Sequence, residues 1–147
     1  RYTITNKIPI AMNNTENHNT IFPKGEAGDQ TYFTGKAWVK YLVPNDETLN
    51  TLILNVVFEP GARNYWHKHP GGQILIVTQG IGYYQEKGQA IQLLNKGDVV
   101  KIAPDAEHWH GASPDSEFTH IAINTNTHKG IVEWLTSVTD EEYNTYK

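Results

Sequence analysis

From about position 31 onward, apolar and polar residues alternate in short runs, each closed by Gly, Pro, Asn or Asp. "KAWVKYLV" (36–43) stops at "PNDE", "TLILNVVF" (51–58) at "EPGA" and "QILIVTQ" (73–79) at Gly80. "GYYQE" (82–86) turns at "KG", "AIQLL" (90–94) at "NKGD" and "VVKIA" (99–103) at Pro104, and "FTHIAIN" (118–124) closes the series. Short β-rich runs between turn formers predict strands. A succession of them with no helix between predicts an antiparallel sandwich or barrel, because closing the sheet removes its exposed edges. After Gly130 the period changes. Ile131, Trp134, Leu135 and Val138 fall at i, i+3, i+4 and i+7, which predicts a helix over 131–138 with one buried stripe. Thr139 and Glu142 have the spacing of a capping box that opens a last short turn, "DEEYNTYK". Residues 1–30 are polar and rich in Asn and Thr, predicting loop with short extended pieces such as 2–4. The expected architecture is all-β. One domain spans 1–147, with a polar arm at 1–30, a barrel at about 31–126 and a helical segment at about 130–147.

Composition narrows the function. A chain of 147 residues can bury one substantial core. The net charge of −4 and the lack of a basic stripe argue against nucleic acid as a partner. No run approaches the roughly 18 apolar residues of a membrane span. The expected location is therefore the cytoplasm, or the periplasm if a leader has been removed. Cysteine is absent, so thiolate ligands, disulfides and a cysteine nucleophile are excluded. Any metal must be held by nitrogen and oxygen. The seven histidines are then the main chemical resource.

Five of these histidines stand at 67, 69, 108, 110 and 120, each at the edge of a strand run. On a strand, residues two apart share a face. His67 pairs in this way with His69, and His108 with His110, while Gln73 shares a face with Leu75 and Val77. A lone strand histidine is usually an ordinary hydrogen-bonded residue. Two His-x-His units in one all-β chain point instead to a metal, whose commonest protein ligand is imidazole. His18 and His128 lie in polar loops and are expected to be bystanders.

The spacing Gly61, His67, His69, Gln73, Gly80, followed by Gly97, Pro104 and His108, resembles the two motifs of the cupin superfamily. Gln73 stands where that family usually has Glu. The second motif is looser, with Pro104-Asp105-Ala106 in place of P-x-G and no evident terminal Asn. The segments "FTG", "FEPGAR", "WHKHP", "KGDVV", "EHWHGASP", "THIAI" and "VTDEEY" are similar to a narrower group. It comprises small bacterial cupins that include manganese-dependent hydroxynitrile lyases of the (R)-mandelonitrile-lyase type and carboxymuconolactone-decarboxylase-associated cupins. The resemblance implies a jelly-roll barrel with a divalent metal, manganese first and iron, zinc or nickel as alternatives, on His67, His69, Gln73 and His108. It places His110 and His120 beside the metal as non-ligand cavity residues. Asn64, Leu54 and Asn124 fall where the group's lyases carry Thr, Ala and Gln, so these three departures surround the expected substrate.

An amide in place of a carboxylate leaves a divalent ion with its full double charge. That strengthens its Lewis acidity and disfavours oxidation to a higher valence. Gln73 either ligates directly or hydrogen-bonds a ligand or water. His110 and His120 are expected to act as general base or acid, or to orient a ligand. Trp66, Trp109, Tyr65, Tyr83 and Phe58 are candidates for the cavity wall, although most are expected in the core or in subunit contacts. The expected function is a metal-dependent lyase for a small cyanohydrin- or carbonyl-type substrate. A cupin dioxygenase and a non-enzymatic binding protein are the alternatives. A homodimer is the expected assembly, through edge strands or sheet faces.

Overall fold

All seven predicted apolar runs become strands, but two of them fuse. The computed structural model describes residues 21 to 147, so the extended piece expected at 2–4 lies outside the described residues. In chain order the strands are β1 (Glu26–Ala27), β2 (Phe33–Thr34), β3 (Ala37–Val43), β4 (Leu52–Phe58), β5 (Arg63–Asn64) and β6 (His67–Lys68). They continue with β7 (Gln73–Glu86), β8 (Gln92–Asn95), β9 (Val99–Ile102), β10 (His108–Ala112), β11 (Phe118–Asn124) and β12 (Glu133–Trp134), and α1 (Asp140–Tyr143) closes the series.

Gly80 does not end a strand. β7 runs through it for 14 residues and belongs to both sides of the barrel. Its first half pairs with β11 and β9, and its second half with β10 and β8. Gly80 is the corner: its φ is +80°, and a Cβ there would fall 1.8 Å from the Glu117 carbonyl oxygen. Only glycine satisfies both conditions, so the chain bends without losing its ladder. On one side the order is β1-β3-β4-β11-β7, and on the other β7-β10-β5-β2. The ladders are antiparallel throughout the described residues. The sheet curls so that Phe58, Leu75, Val77, Tyr84, Ile102 and Phe118 bury in one core.

The helix expected over 131–138 is not formed. This segment is extended, and β12 adds to β6 with Trp134 opposite His67 and Glu133 opposite Lys68. Two further backbone bonds extend the pairing, Trp66 N–H to Thr136 O at 2.9 Å and Leu135 N–H to Trp66 O at 2.8 Å. The reason is competition. Ile131, Val132, Thr136 and Val138 are β-branched and favour extended backbone, and β6 offers a free edge that the segment satisfies. Leu135 stays 38% exposed while Val138 is buried, so the expected stripe does not bury as one helical face. The capping box does form, with Thr139 Oγ1 accepting from Glu142 N–H at 3.0 Å and Glu142 Oε1 accepting from Thr139 N–H at 2.9 Å. It opens only the four-residue α1. Arg63 fixes this end of the chain, donating to Val138 O and Asp140 Oδ1 at 2.9 and 2.7 Å.

Candidate metal centre

Strand alternation and register decide what enters the barrel. On β4 the inward row is Leu52, Leu54, Val56 and Phe58. On β11 it is Phe118, His120, Ala122 and Asn124, and on β7 it starts Gln73, Leu75, Val77. The ladders set Asn124 opposite both Leu52 and Gln73, and His120 opposite both Val56 and Val77. From the other side, β10 brings in His108 and His110, and His108 pairs with His67 of β6. All five predicted histidines and Gln73 are buried around one cavity or against each other.

The ring centroids of His67 lie 4.3 Å from those of His108 and 4.9 Å from those of His69, and His69 and His108 are 5.5 Å apart. His110 is 5.6 Å from His108 and 4.7 Å from His120. By proximity alone, ligand atoms of His67, His108 and His110 all fall within 4.8 Å of one another. Hydrogen bonding divides the rings differently. Nδ1 of His67 donates to Tyr65 O at 2.7 Å, that of His69 to Ile131 O at 2.7 Å, and that of His108 to Ala106 O at 2.8 Å. A carbonyl can only accept, so each of these rings carries its proton on Nδ1 and keeps a lone pair on Nε2. This is how metal-binding imidazoles are usually fixed. Nε2 of His69 is buried with no partner, an arrangement that costs about 1–3 kcal/mol unless something binds there.

His110 is held otherwise. Asn64 Oδ1 accepts from the His110 backbone N–H at 2.9 Å, which turns Asn64 Nδ2 to the ring, 3.3 Å from each ring nitrogen. His110 Nδ1 also lies 3.0 Å from His120 Nε2. The ring nitrogens of His110 are thus engaged with side chains, whereas His67, His69 and His108 are free to offer Nε2. That second trio fits a metal better than the trio grouped by distance. Gln73 completes it. Its Nε2 donates to Asn124 Oδ1 at 3.0 Å, and its Oε1 lies 3.3 Å from His108 Nε2.

Burial holds the cluster neutral. The His108 imidazole is lowered to about 4 and that of His120 to about 3, chiefly by burial. His67 and His110 are held well below the usual range by burial first and then by neighbouring imidazoles, and His69 is lowered by burial. No metal charge is needed to keep these rings in their basic form.

The cavity has a volume of about 370 Å³ and no Asp, Glu, Lys or Arg among the described residues that line it. Asn64, Leu54 and Asn124 all line it. Among the candidate aromatics only Phe58 does so. Trp66, Tyr83 and Trp109 pack with Ile91, Val138 and Tyr143 in a second cluster instead. Alternation explains the split, since Trp109 points away from the face of His108 and His110. The aromatic wall comes from Phe33, Tyr41 and Trp134, which sequence reading did not select. Ile131 and Trp134, expected on the buried stripe of a helix, instead close the cavity together with Val132, and Ile131 O anchors His69. Trp134 stacks on Tyr32 at 4.5 Å and lies 4.8 Å from His67. His128 is exposed in the middle of a short 3-10 turn (Thr127–Lys129) and does not line the cavity; His18 lies outside the described residues.

Comparison with known proteins agrees with this geometry. Residues 54–124 match the family model described as "Cupin domain". An (R)-mandelonitrile lyase from Granulicella tundricola is 42% identical over 116 residues, covering 79% of this chain and 88% of that protein. The crystal structure of a cupin-like protein from Thermotoga maritima is 56% identical, covers 87% of this chain and 97% of its own, and superposes with a TM-score of 0.84. A cupin 2 conserved barrel domain protein from Rhodopseudomonas palustris shares the fold at 17% identity, with a TM-score of 0.63 over 80% of this chain and 78% of its own. On its barrel, its motifs and these relatives, the chain belongs to the cupin family.

Proposed function

We propose that this chain is a metal-dependent lyase for a neutral, apolar-bodied cyanohydrin- or carbonyl-type molecule. The observation that carries the reading is the pairing of two features. Three imidazoles fixed to offer Nε2 converge with an amide oxygen, at the end of a cavity that contains no charged side chain. His67, His69, His108 and Gln73 are the ligand set. A divalent ion among these neutral donors, manganese first and iron, zinc or nickel as alternatives, would supply Lewis acidity to a substrate oxygen. The 42% identity to an (R)-mandelonitrile lyase supports the reaction class.

The chain's own groups then divide the work. Phe33, Phe58, Leu54 and Trp134 bind the apolar body and exclude water. The side chains of the wall include no Lys or Arg to hold a carboxylate or phosphate away from the metal site, so the cavity favours a neutral substrate body. His110 takes the hydroxyl proton at Nε2 while its Nδ1–H is donated to His120 Nε2, 3.0 Å away. The carbon–carbon bond breaks with its electron pair leaving on cyanide, and His110 returns the proton to it. Asn64 holds the His110 ring in place through its backbone N–H and ring edge.

The test is mandelonitrile cleavage by the metal-loaded protein with oxygen excluded, read as benzaldehyde release. Release that depends on metal supports the lyase. Oxygen uptake with a diketone and no cleavage would replace it with a dioxygenase, and tight binding without turnover with a binding protein.

A further inference from the structure

A hydrogen-bond chain through Asn124 determines what can stand at position 73. The carbonyl oxygen of Leu52 can only accept, and it faces Asn124 Nδ2 at 3.3 Å. The amide of Asn124 is thereby oriented, and its Oδ1 must point the other way, toward Gln73. An acceptor there requires a donor opposite, and Gln73 Nε2 supplies it at 3.0 Å. Gln73 in turn has only its oxygen left to face the histidines, 3.3 Å from His108 Nε2. Each step fixes the next, and all three residues meet because the ladders set Asn124 opposite both Leu52 and Gln73.

We propose that Asn124 is a positioning residue that selects an amide over a carboxylate at position 73 and turns its oxygen to the histidines. A carboxylate at 73 would set an oxygen against Asn124 Oδ1. Turning Asn124 over would relieve that contact only by setting Oδ1 against the Leu52 carbonyl. Either way two acceptors oppose each other in a buried site, with Gln73 at 5% and Asn124 at 3% exposure. The neutral donor set is therefore imposed from behind the site, by a side chain that does not belong to it. Asn124 lines the cavity, but both ends of its amide are spent on the protein, so it orients Gln73 rather than reading substrate.

The orientation stands in the metal-free protein, and only its effect on affinity rests on the metal reading. Two measurements keep these apart. In metal-free, ¹⁵N-labelled protein, the Gln73 side-chain NH₂ should show one proton protected from exchange by its bond to Asn124. Asn124→Leu should abolish that protection while leaving the backbone spectrum of the barrel intact. Manganese affinity, measured by competition with a chelator, should then fall about 10-fold in Asn124→Leu, the low end for losing a partner that orients a ligand. In the Gln73→Glu background the same Asn124→Leu change should raise affinity or leave it unchanged, because the opposed oxygens are removed and a carboxylate has no wrong end. An equal loss in both backgrounds would reduce Asn124 to packing and overturn the proposal. So would unchanged Gln73 exchange in Asn124→Leu. If neither background binds manganese, the exchange measurement still decides the orientation, and it is the metal reading that has failed.

Discussion

The five buried histidines fall into two kinds. His67, His69 and His108 are pinned by backbone carbonyls, while His110 and His120 are held by side chains and by each other. A carbonyl partner fixes a ring's tautomer permanently, because it can never donate. A side-chain partner such as a second imidazole can exchange donor and acceptor roles, so the proton can move. The first arrangement suits a group that must keep one lone pair aimed at a cation. The second suits a group that must gain and lose a proton within each turnover. Residues alike in type, burial and spacing are thus separated by what touches their far nitrogen.

The sharpest way to break this division is to remove one ring of each kind. His108→Ala should lose the metal and, with it, the stabilisation that bound metal gives by mass action. His110→Ala should keep the metal and lower turnover by about 10²–10⁴, the range of a lost general acid–base. Metal content, melting temperature and rate of both variants check this. If His110→Ala loses the metal just as His108→Ala does, proximity outranks hydrogen bonding, because His108 and His110 both belong to the distance-based trio.

Acid should act on both kinds together. His108 is lowered from 6.5 to about 4 and His120 to about 3, so these rings are neutral when folded yet take protons near pH 6.5 once unfolded. The unfolded state binds more protons between those limits, so stability rises with pH across that window and is complete above it. At about 1.4 kcal/mol per unit, His108 alone removes on the order of 3 kcal/mol from the metal-free protein between pH 6.5 and 4. Urea unfolding of metal-free protein at pH 7, 5.5 and 4.5 should show a falling midpoint. A flat midpoint would mean that the rings are solvated, and the argument for neutral donors would fail.

Much of this was legible in sequence, for a physical reason. Period-two runs are local, and so is the positive φ of Gly61 and Gly80, +82° and +80°, while the His-x-His pair is legible because residues two apart on a strand share a face. What escaped was nonlocal. The segment 131–138 satisfies helical and extended patterns alike, and only the free edge of β6, distant in sequence, decides between them. Gly80 reads as a terminator until a second sheet is seen to continue beyond it. The aromatic wall likewise depended on which strand faces turned inward.

Trp134 tests the strap that sequence concealed. It packs on Tyr32 and His67, and the same segment supplies the carbonyl that anchors His69. Trp134→Ala should cost about 3 kcal/mol or less, at or below the low end for a buried Trp because the side chain is only partly buried. It should weaken metal binding less than His108→Ala does, since the anchoring carbonyl belongs to the backbone. Calorimetric melting with and without metal reads both. Affinity falling as far as in His108→Ala would make the strap part of the metal site.

The smallest expected effect lies on the side-chain-anchored kind. Asn64 accepts from the His110 backbone N–H and sets its own NH₂ against the ring, so it limits how the ring can turn without carrying a proton itself. Asn64→Ala removes both contacts but leaves His120 Nε2 beside His110 Nδ1, and that surviving bond still restrains the ring. Turnover should therefore fall by about 10-fold, well short of the loss of the base itself, because one of two restraints persists. Metal content should not change, since no bond of Asn64 reaches the rings pinned by carbonyls. The measurement is rate and metal stoichiometry on the same preparation. Metal loss in Asn64→Ala would mean that His110 and the pinned trio form a single network, and that the two kinds of histidine are not separable.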